Sequence, residues 1–169
     1  MNVEIYLVRH AVAEAAGPGQ QDAARALTAE GERDFSAAVD GLRRLGVRFD
    51  LVLHSPALRA VETAELLVPL LEHDGTTRVT PALAAPPGPA LLAEVDAARV
   101  AMVGHEPWLG ELALSLCVGW EVAGGGREGP IALGKGSVAW LSGPPRAGAM
   151  SLRASWPAKT LRSLAKRGR

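Results

Sequence analysis

Three short stretches of the chain are apolar almost without interruption: VEIYLV over residues 3–8, DLVLHS over 50–55 and RVAMVGH over 99–105. None alternates cleanly between polar and apolar positions, so none reads as a strand with one wet face. Continuous apolar character predicts strands covered on both sides, as in a parallel sheet. Between them the apolar positions recur at helical spacing. After Thr28, a suitable N-cap, the stretch AEGERDFSAAVDGLRRLG places Phe35, Val39, Leu42 and Leu45 near one face, and Gly46 suits the C-cap. The stretch SPALRAVETAELLVPLL is predicted to be a second helix, with Ser55 as N-cap and Pro56 at its first position. Pro107 opens a third, PWLGELALSLCV. Strands alternating with helices predict an α/β layered sandwich. The segments SVAWLS (137–142) and MSLRASW (150–156) are candidate further strands, while ALAAPPGP (82–89) and AGGGREGP (123–130) read as loops. His73 also reads as loop.

Composition narrows this picture. At 169 residues the chain fits one domain, 1–169, with no internal repeat. Acidic and basic residues balance at 18 each, which argues against a nucleic-acid or membrane partner held by bulk charge. The basic end at 157–169, LRSLAKRGR included, reads as a solvated helix end or tail. Cys117 is the single cysteine, so an internal disulfide or thiolate metal cluster is excluded and a reducing compartment is suggested. No secretory signal is recognisable, the longest apolar run is too short to span a bilayer, and a cytoplasmic location is expected.

The chemistry collects where the strands end. The first apolar segment ends in Arg9-His10, the second in His54-Ser55 and the third in Gly104-His105. Open α/β sheets bind ligands beyond the carboxyl ends of their parallel strands. If the three strands are neighbours, these polar residues share one crevice, and His54 could line it. Arg59 falls in the first turn of the second predicted helix. A cation there is unfavourable by about 0.3–1 kcal/mol against the helix dipole unless an anion is held nearby. Two guanidinium forks with two imidazoles favour a phosphoryl group over a carboxylate, because more anionic oxygens need partners. Each residue also has a structural reading of its own: Arg59 could pair with Glu62 one turn on, and His10 could be a satisfied structural histidine. One phosphoryl group explains all four together. A metal site competes poorly, since the histidines lack i,i+4 pairing and two arginines would repel the ion. The Walker pattern is absent from AGGGREGP.

The segments LVRHA, SPALRAVETAELL and VGHEPWL, in this order and spacing, resemble the histidine phosphatase superfamily, the phosphoglycerate-mutase-like group. With the short length and the segment LTAEGERD, the likeness is greatest to SixA-type phosphohistidine phosphatases, and it spans Val3 to about Trp156. The resemblance implies a three-layer fold, a mostly parallel sheet with helices on both faces. It implies that His10 is a nucleophile that becomes phosphorylated, that Arg9, Arg59 and His105 bind the transferred group, and that no metal or organic cofactor takes part.

Three positions depart from the family pattern. Ala11 stands where glycine is usual, and as a small residue it is expected to leave backbone access to phosphate. An Asn a few positions after the nucleophile is missing from VAEAAG, and the glutamate acid of phosphomonoesterases and mutases has no counterpart in TPALAAPPGP. A phosphorylated imidazole can depart neutral, protonated on its far nitrogen, whereas an alkoxide needs a proton delivered to it. The missing acid therefore favours a phosphohistidine-containing signalling protein as substrate, with inorganic phosphate as product. Two alternatives stay open: a small-molecule phosphomonoesterase with Glu14 or Glu106 as acid, and a non-catalytic phosphate-binding module.

Overall fold

The structure, a computed structural model, describes residues 2–120 and 129–166. The regular elements run β1 (Val3–Arg9), α1 (Ala29–Arg44), β2 (Phe49–His54), α2 (Leu58–Leu67), β3 (Leu71–Val79), α3 (Pro89–Leu92), β4 (Arg99–Gly104), α4 (Trp108–Val118), β5 (Val138–Gly143), β6 (Ser151–Trp156) and α5 (Ala158–Lys166). The strands form one sheet in the order β3-β2-β4-β1-β5-β6. The first four in sequence are mutually parallel, β5 runs antiparallel to β1, and β6 runs antiparallel to β5. The fold is the three-layer α/β sandwich expected.

The uninterrupted apolar runs are explained by burial on two sides. Along β1, Tyr6 and Val8 face a core with α1, α2 and α5, while Val3, Ile5 and Leu7 face a second core with α4, Leu83 and Leu91. Each fully buried aliphatic side chain of these layers contributes about 1.5–3 kcal/mol. Neither face can be lost, which is why β1, β2 and β4 show no polar alternation.

Helix α1 begins at Thr28, whose hydroxyl accepts the Gly31 N–H at 2.8 Å. Its end is closed by Gly46, in the left-handed region at φ 77°. Other boundaries differ from the sequence reading. Helix α2 starts at Leu58 with Ala57 as N-cap, so Ser55 and Pro56 precede it and Arg59 is its second residue. Pro107 is the N-cap of α4 rather than its first residue. Strand β3, LEHDGTTRV, carries His73 and was not predicted. It is a mostly exposed edge strand, and its polar composition hides a ladder that pairing with β2 supplies. The segment 82–89 is partly helical, with a single turn over Pro81–Ala84 and α3 from Pro89. Residues 123–128 of AGGGREGP and 167–169 of the basic end lie outside the described residues. Helix α5 is a packed element: Leu161 is fully buried and Arg162 pairs with Asp34 of α1 at 2.7 Å. Among the described residues no helix is long and apolar enough to cross a membrane.

The layering positions the site. The connection from β1 places α1 on one face, while the connection from the adjacent β4 places α4 on the other. A crevice opens between two neighbouring strands whose following helices diverge in this way. His10 and His105 follow those two strands.

The close approach of α1 and α5 depends on Gly41, where a Cβ would run into the Leu161 carbonyl. Replacement of Gly41 by alanine is expected to lower unfolding free energy by about 1–3 kcal/mol, through forced separation of the two helices. A denaturant melt of Gly41→Ala that matches the wild type would contradict this packing.

Candidate active site

His10 is 6% exposed. Its Nδ1 lies 2.7 Å from the Ala11 carbonyl, which can only accept, so the ring hydrogen sits on Nδ1. Nε2 keeps an unprotonated lone pair, which accepts the Arg59 Nε–H at 3.3 Å. Burial, with the positive neighbours adding to it, pushes the His10 pKa down to about 3 despite the opposing Ala11 bond. His10, the nucleophile expected from the sequence, is therefore held neutral.

His105 stands beside it, ring centroids 5.2 Å apart. Its Nε2 is 2.8 Å from Ser55 Oγ, an oxygen that also accepts the Ala57 N–H at 3.3 Å. The Ser55 hydroxyl can donate to Nε2, and in that tautomer the ring hydrogen is on Nδ1, a buried atom without a partner. Burial first, then Arg59, pushes the His105 pKa down to about 4. His105 is thus held as a neutral imidazole.

Arg9 anchors one end of its guanidinium on the Leu133 carbonyl at 2.7 Å, while its buried Nε has no partner. Arg59, 7% exposed, turns away from Glu62, which accepts the Leu27 N–H instead. Its Nη1 and Nη2 donate to the Asp22 carbonyl and carboxylate at 2.7 and 2.9 Å. Asp22 also accepts from Arg25, Nε at 2.9 Å and Nη2 at 2.8 Å. The Arg59 bond, reinforced by Arg25, holds its carboxyl below the usual carboxylate range. Arg9, His10, Arg59 and His105 are thus brought together with two buried donors unspent, Arg9 Nε and His105 Nδ1 in its protonated tautomer. Two guanidinium groups with unpartnered buried nitrogens beside them are the donor set an anion requires. Among the described residues, no group of three or more His, Cys, Asp or Glu is placed to hold a metal ion.

Several supporting residues were not anticipated. Thr63, one turn after Arg59, donates to the Arg59 carbonyl at 2.6 Å and accepts the Ala11 N–H at 3.1 Å. The Ala11 amide is therefore spent within the protein and is no donor to phosphate, contrary to the access expected for it. Glu106 accepts from the Gly110 and Leu133 amides at 3.2 and 2.8 Å. It holds the segment whose Leu133 carbonyl holds Arg9, and both its oxygens are engaged as acceptors. His54 ends β2 with Nδ1 on the Ser55 carbonyl at 2.9 Å. Asp22 and Arg25 had a faint sequence signal, the i,i+3 spacing of opposite charges in QDAARALT; Ser55 and Thr63 had none beyond helix-cap and helix-face positions.

Residues 5–85 match a family model described as histidine phosphatase superfamily (branch 1). The chain belongs to that superfamily. The matched segment includes Arg9, His10 and Arg59 but stops short of His105, whose membership in the cluster the geometry supplies. An uncharacterized protein of Picosynechococcus sp. is 35% identical over 125 residues, 69% of this chain and 74% of that one. The fold is similar to the protein histidine phosphatase SixA complexed with tungstate, at TM-score 0.76 and 24% identity, covering 94% of this chain and 99% of that one. It is also similar to a Nakamurella protein named as phosphohistidine phosphatase SixA, at TM-score 0.69 and 26% identity, with 92% and 95% covered.

The two neutral imidazoles make stability depend on pH. Unfolded, each takes a proton near pH 6.5; folded, His105 resists until about 4 and His10 until about 3. Over that window the unfolded state binds more protons. Stability is fully present above pH 6.5 and falls with acid by about 1.4 kcal/mol per pH unit for each withheld proton. Urea denaturation in phosphate-free buffer is expected to show this decline between pH 6.5 and 4, with about half the slope removed in His10→Gln. An unchanged slope in that variant would mean that His10 is not held neutral.

Proposed function

We propose that the protein is a phosphatase working through phosphohistidine at His10, and that its substrates carry the phosphoryl group on an imidazole nitrogen, as on a histidine of a signalling phosphotransfer protein. The observation that carries this reading is the state of the carboxylates around the cluster. Asp22 accepts from two arginines, Glu106 from two amides and Glu62 from a third. Each is engaged as an acceptor within the protein rather than presented to a leaving group, and for Asp22 the arginines also hold the carboxyl below the usual carboxylate range. Glu14, the other acid considered for ester hydrolysis, is exposed on the loop that carries Asp22.

The geometry supports the following steps. Arg59 Nε–H gives up its bond to His10 Nε2 for a phosphoryl oxygen, His10 Nε2 attacks phosphorus, the substrate P–N bond breaks, and the substrate imidazole leaves neutral with its hydrogen on the far nitrogen. Arg9, Arg59 and the His105 Nδ1–H spread the charge of the three equatorial oxygens. Phosphorylated His10 keeps its Nδ1 hydrogen on the Ala11 carbonyl, which makes it a neutral leaving group in turn. Water then attacks phosphorus, the P–Nε2 bond breaks, and dihydrogen phosphate departs, holding both hydrogens of the water. This is covalent catalysis in two displacements, with no external acid required in either.

Side-by-side kinetics test the proposal. A histidine-phosphorylated phosphotransfer domain is expected to be turned over with kcat/KM at least about 100-fold above sugar phosphates, a separation that a single well-placed general acid would erase. Comparable values on both, with a large fall in Glu14→Gln, would transfer the assignment to a phosphomonoesterase. Arg59→Ala should lower kcat by about 10²–10³-fold. An acid-labile phosphoenzyme should be trapped in wild type and be absent in His10→Ala; its absence from wild type would leave only a phosphate-binding module.

A further inference from the structure

The symmetry of the two displacements raises a question about the substrate ring. The protein's own imidazole is kept protonated at Nδ1 by a fixed acceptor, the Ala11 carbonyl. The substrate imidazole needs the same at its far nitrogen, since the ring leaves well only while a hydrogen stays there. Its position is constrained by in-line attack: the leaving nitrogen lies on the side of phosphorus away from His10 Nε2, toward the mouth of the crevice.

An exposed acceptor, Asp22, lies across Arg59 from His10. The Arg59 guanidinium spans the distance between nucleophile and solvent, with Nε donating to His10 Nε2 at 3.3 Å and Nη2 donating to Asp22 Oδ2 at 2.9 Å. The Asp22 side chain is 67% exposed, so it can be reached by a group entering from outside. Its place is fixed on both sides: Arg25 Nη2 binds Oδ1, and Arg25 Nη1 ties the same loop together through the Glu14 carbonyl at 3.1 Å. Below the mouth, the Ala13–Leu27 bridge closes the base of the loop. A carboxylate ionised by two arginines cannot donate a proton, but it is a strong acceptor for one.

We infer that Asp22 receives the far-nitrogen hydrogen of the substrate imidazole and is thereby the residue that selects P–N over P–O substrates. The inference rests on the phosphohistidine reading above and adds a named determinant to it. For an alkoxide leaving group the same carboxylate places negative charge where negative charge develops, so it discriminates in both directions. The interaction is a substrate contact and is separable from the pairing with Arg59. Loss of Arg59 positioning harms every substrate, whereas loss of the imidazole contact harms only one class.

The test compares Asp22→Asn with wild type on three probes: phosphoimidazole, phosphorylated 1-methylimidazole, whose far nitrogen has no hydrogen, and p-nitrophenyl phosphate, whose leaving group needs no proton. The ratio of kcat/KM on phosphoimidazole to that on p-nitrophenyl phosphate is expected to drop at least about tenfold in Asp22→Asn, the scale of one hydrogen bond to a charged group. The methylated ring is permanently cationic and leaves as a neutral base without any hydrogen, so its ratio to p-nitrophenyl phosphate should stay unchanged in Asp22→Asn. Because ratios are read, partial unfolding of the variant does not imitate the result. An unchanged ratio, whether all rates fall together or none does, overturns the inference and leaves Asp22 as a support for Arg59. Failure of the phosphohistidine reading would show separately, as a wild-type enzyme with no preference for a phosphorylated protein histidine over sugar phosphates.

Discussion

The rest of the site depends on a guanidinium buried against an unprotonated imidazole. Arg59 Nε–H donates to His10 Nε2, and both side chains are almost wholly removed from water. A charged arginine in that position is tolerable only if the histidine stays neutral and the remaining guanidinium hydrogens find acceptors. The first condition leaves His10 with an unprotonated ring nitrogen. The second draws in Asp22, the loop that carries it, and Arg25. The reactivity of the histidine and the shape of the entrance are thus consequences of one desolvated charge.

The same constraint explains why so many neighbours are spent on one another. Thr63 joins the backbone after His10 to the helix bearing Arg59, Ser55 joins the second imidazole to the turn before that helix, and Glu106 fixes the segment that grips Arg9. Each bond removes a donor or acceptor that would otherwise compete for the anion. What survives unpartnered, Arg9 Nε and His105 Nδ1, is what an incoming phosphoryl group can use. A set of donors immobilised before the substrate arrives need not reorganise as charge develops, and that is where electrostatic catalysis gets its strength.

The sheet topology supplies the frame. Because β1 and β4 are adjacent and send their chains to opposite faces, the ends of both strands open into one cleft, and β2 on the far side of β4 brings α2 and Arg59 to the same rim. The two cores on either side of the sheet make that frame rigid, so the strand ends behave as fixed points on which a nucleophile and its donors can be mounted.

By itself the sequence determined the central strands, their burial on both faces, the main helices and the four residues that meet at the strand ends. Those features are encoded locally: an apolar run, a helical period, a capping threonine or a polar residue at the end of a run is visible within a few positions. Tertiary structure alone decided the rest. The polar edge strand β3 exists because β2 offers it a ladder, and the N-cap of α2 moved from Ser55 to Ala57 while the serine hydroxyl went to His105. Asp22 lies 37 residues from Arg59, and Leu133 lies 124 from Arg9. Hydrogen bonds across such separations leave no periodic trace in the chain, since any carboxylate or carbonyl that the fold delivers within reach would serve. The chemistry of the centre was therefore written in residue types, and its electrostatic state was settled only by what the fold placed around them.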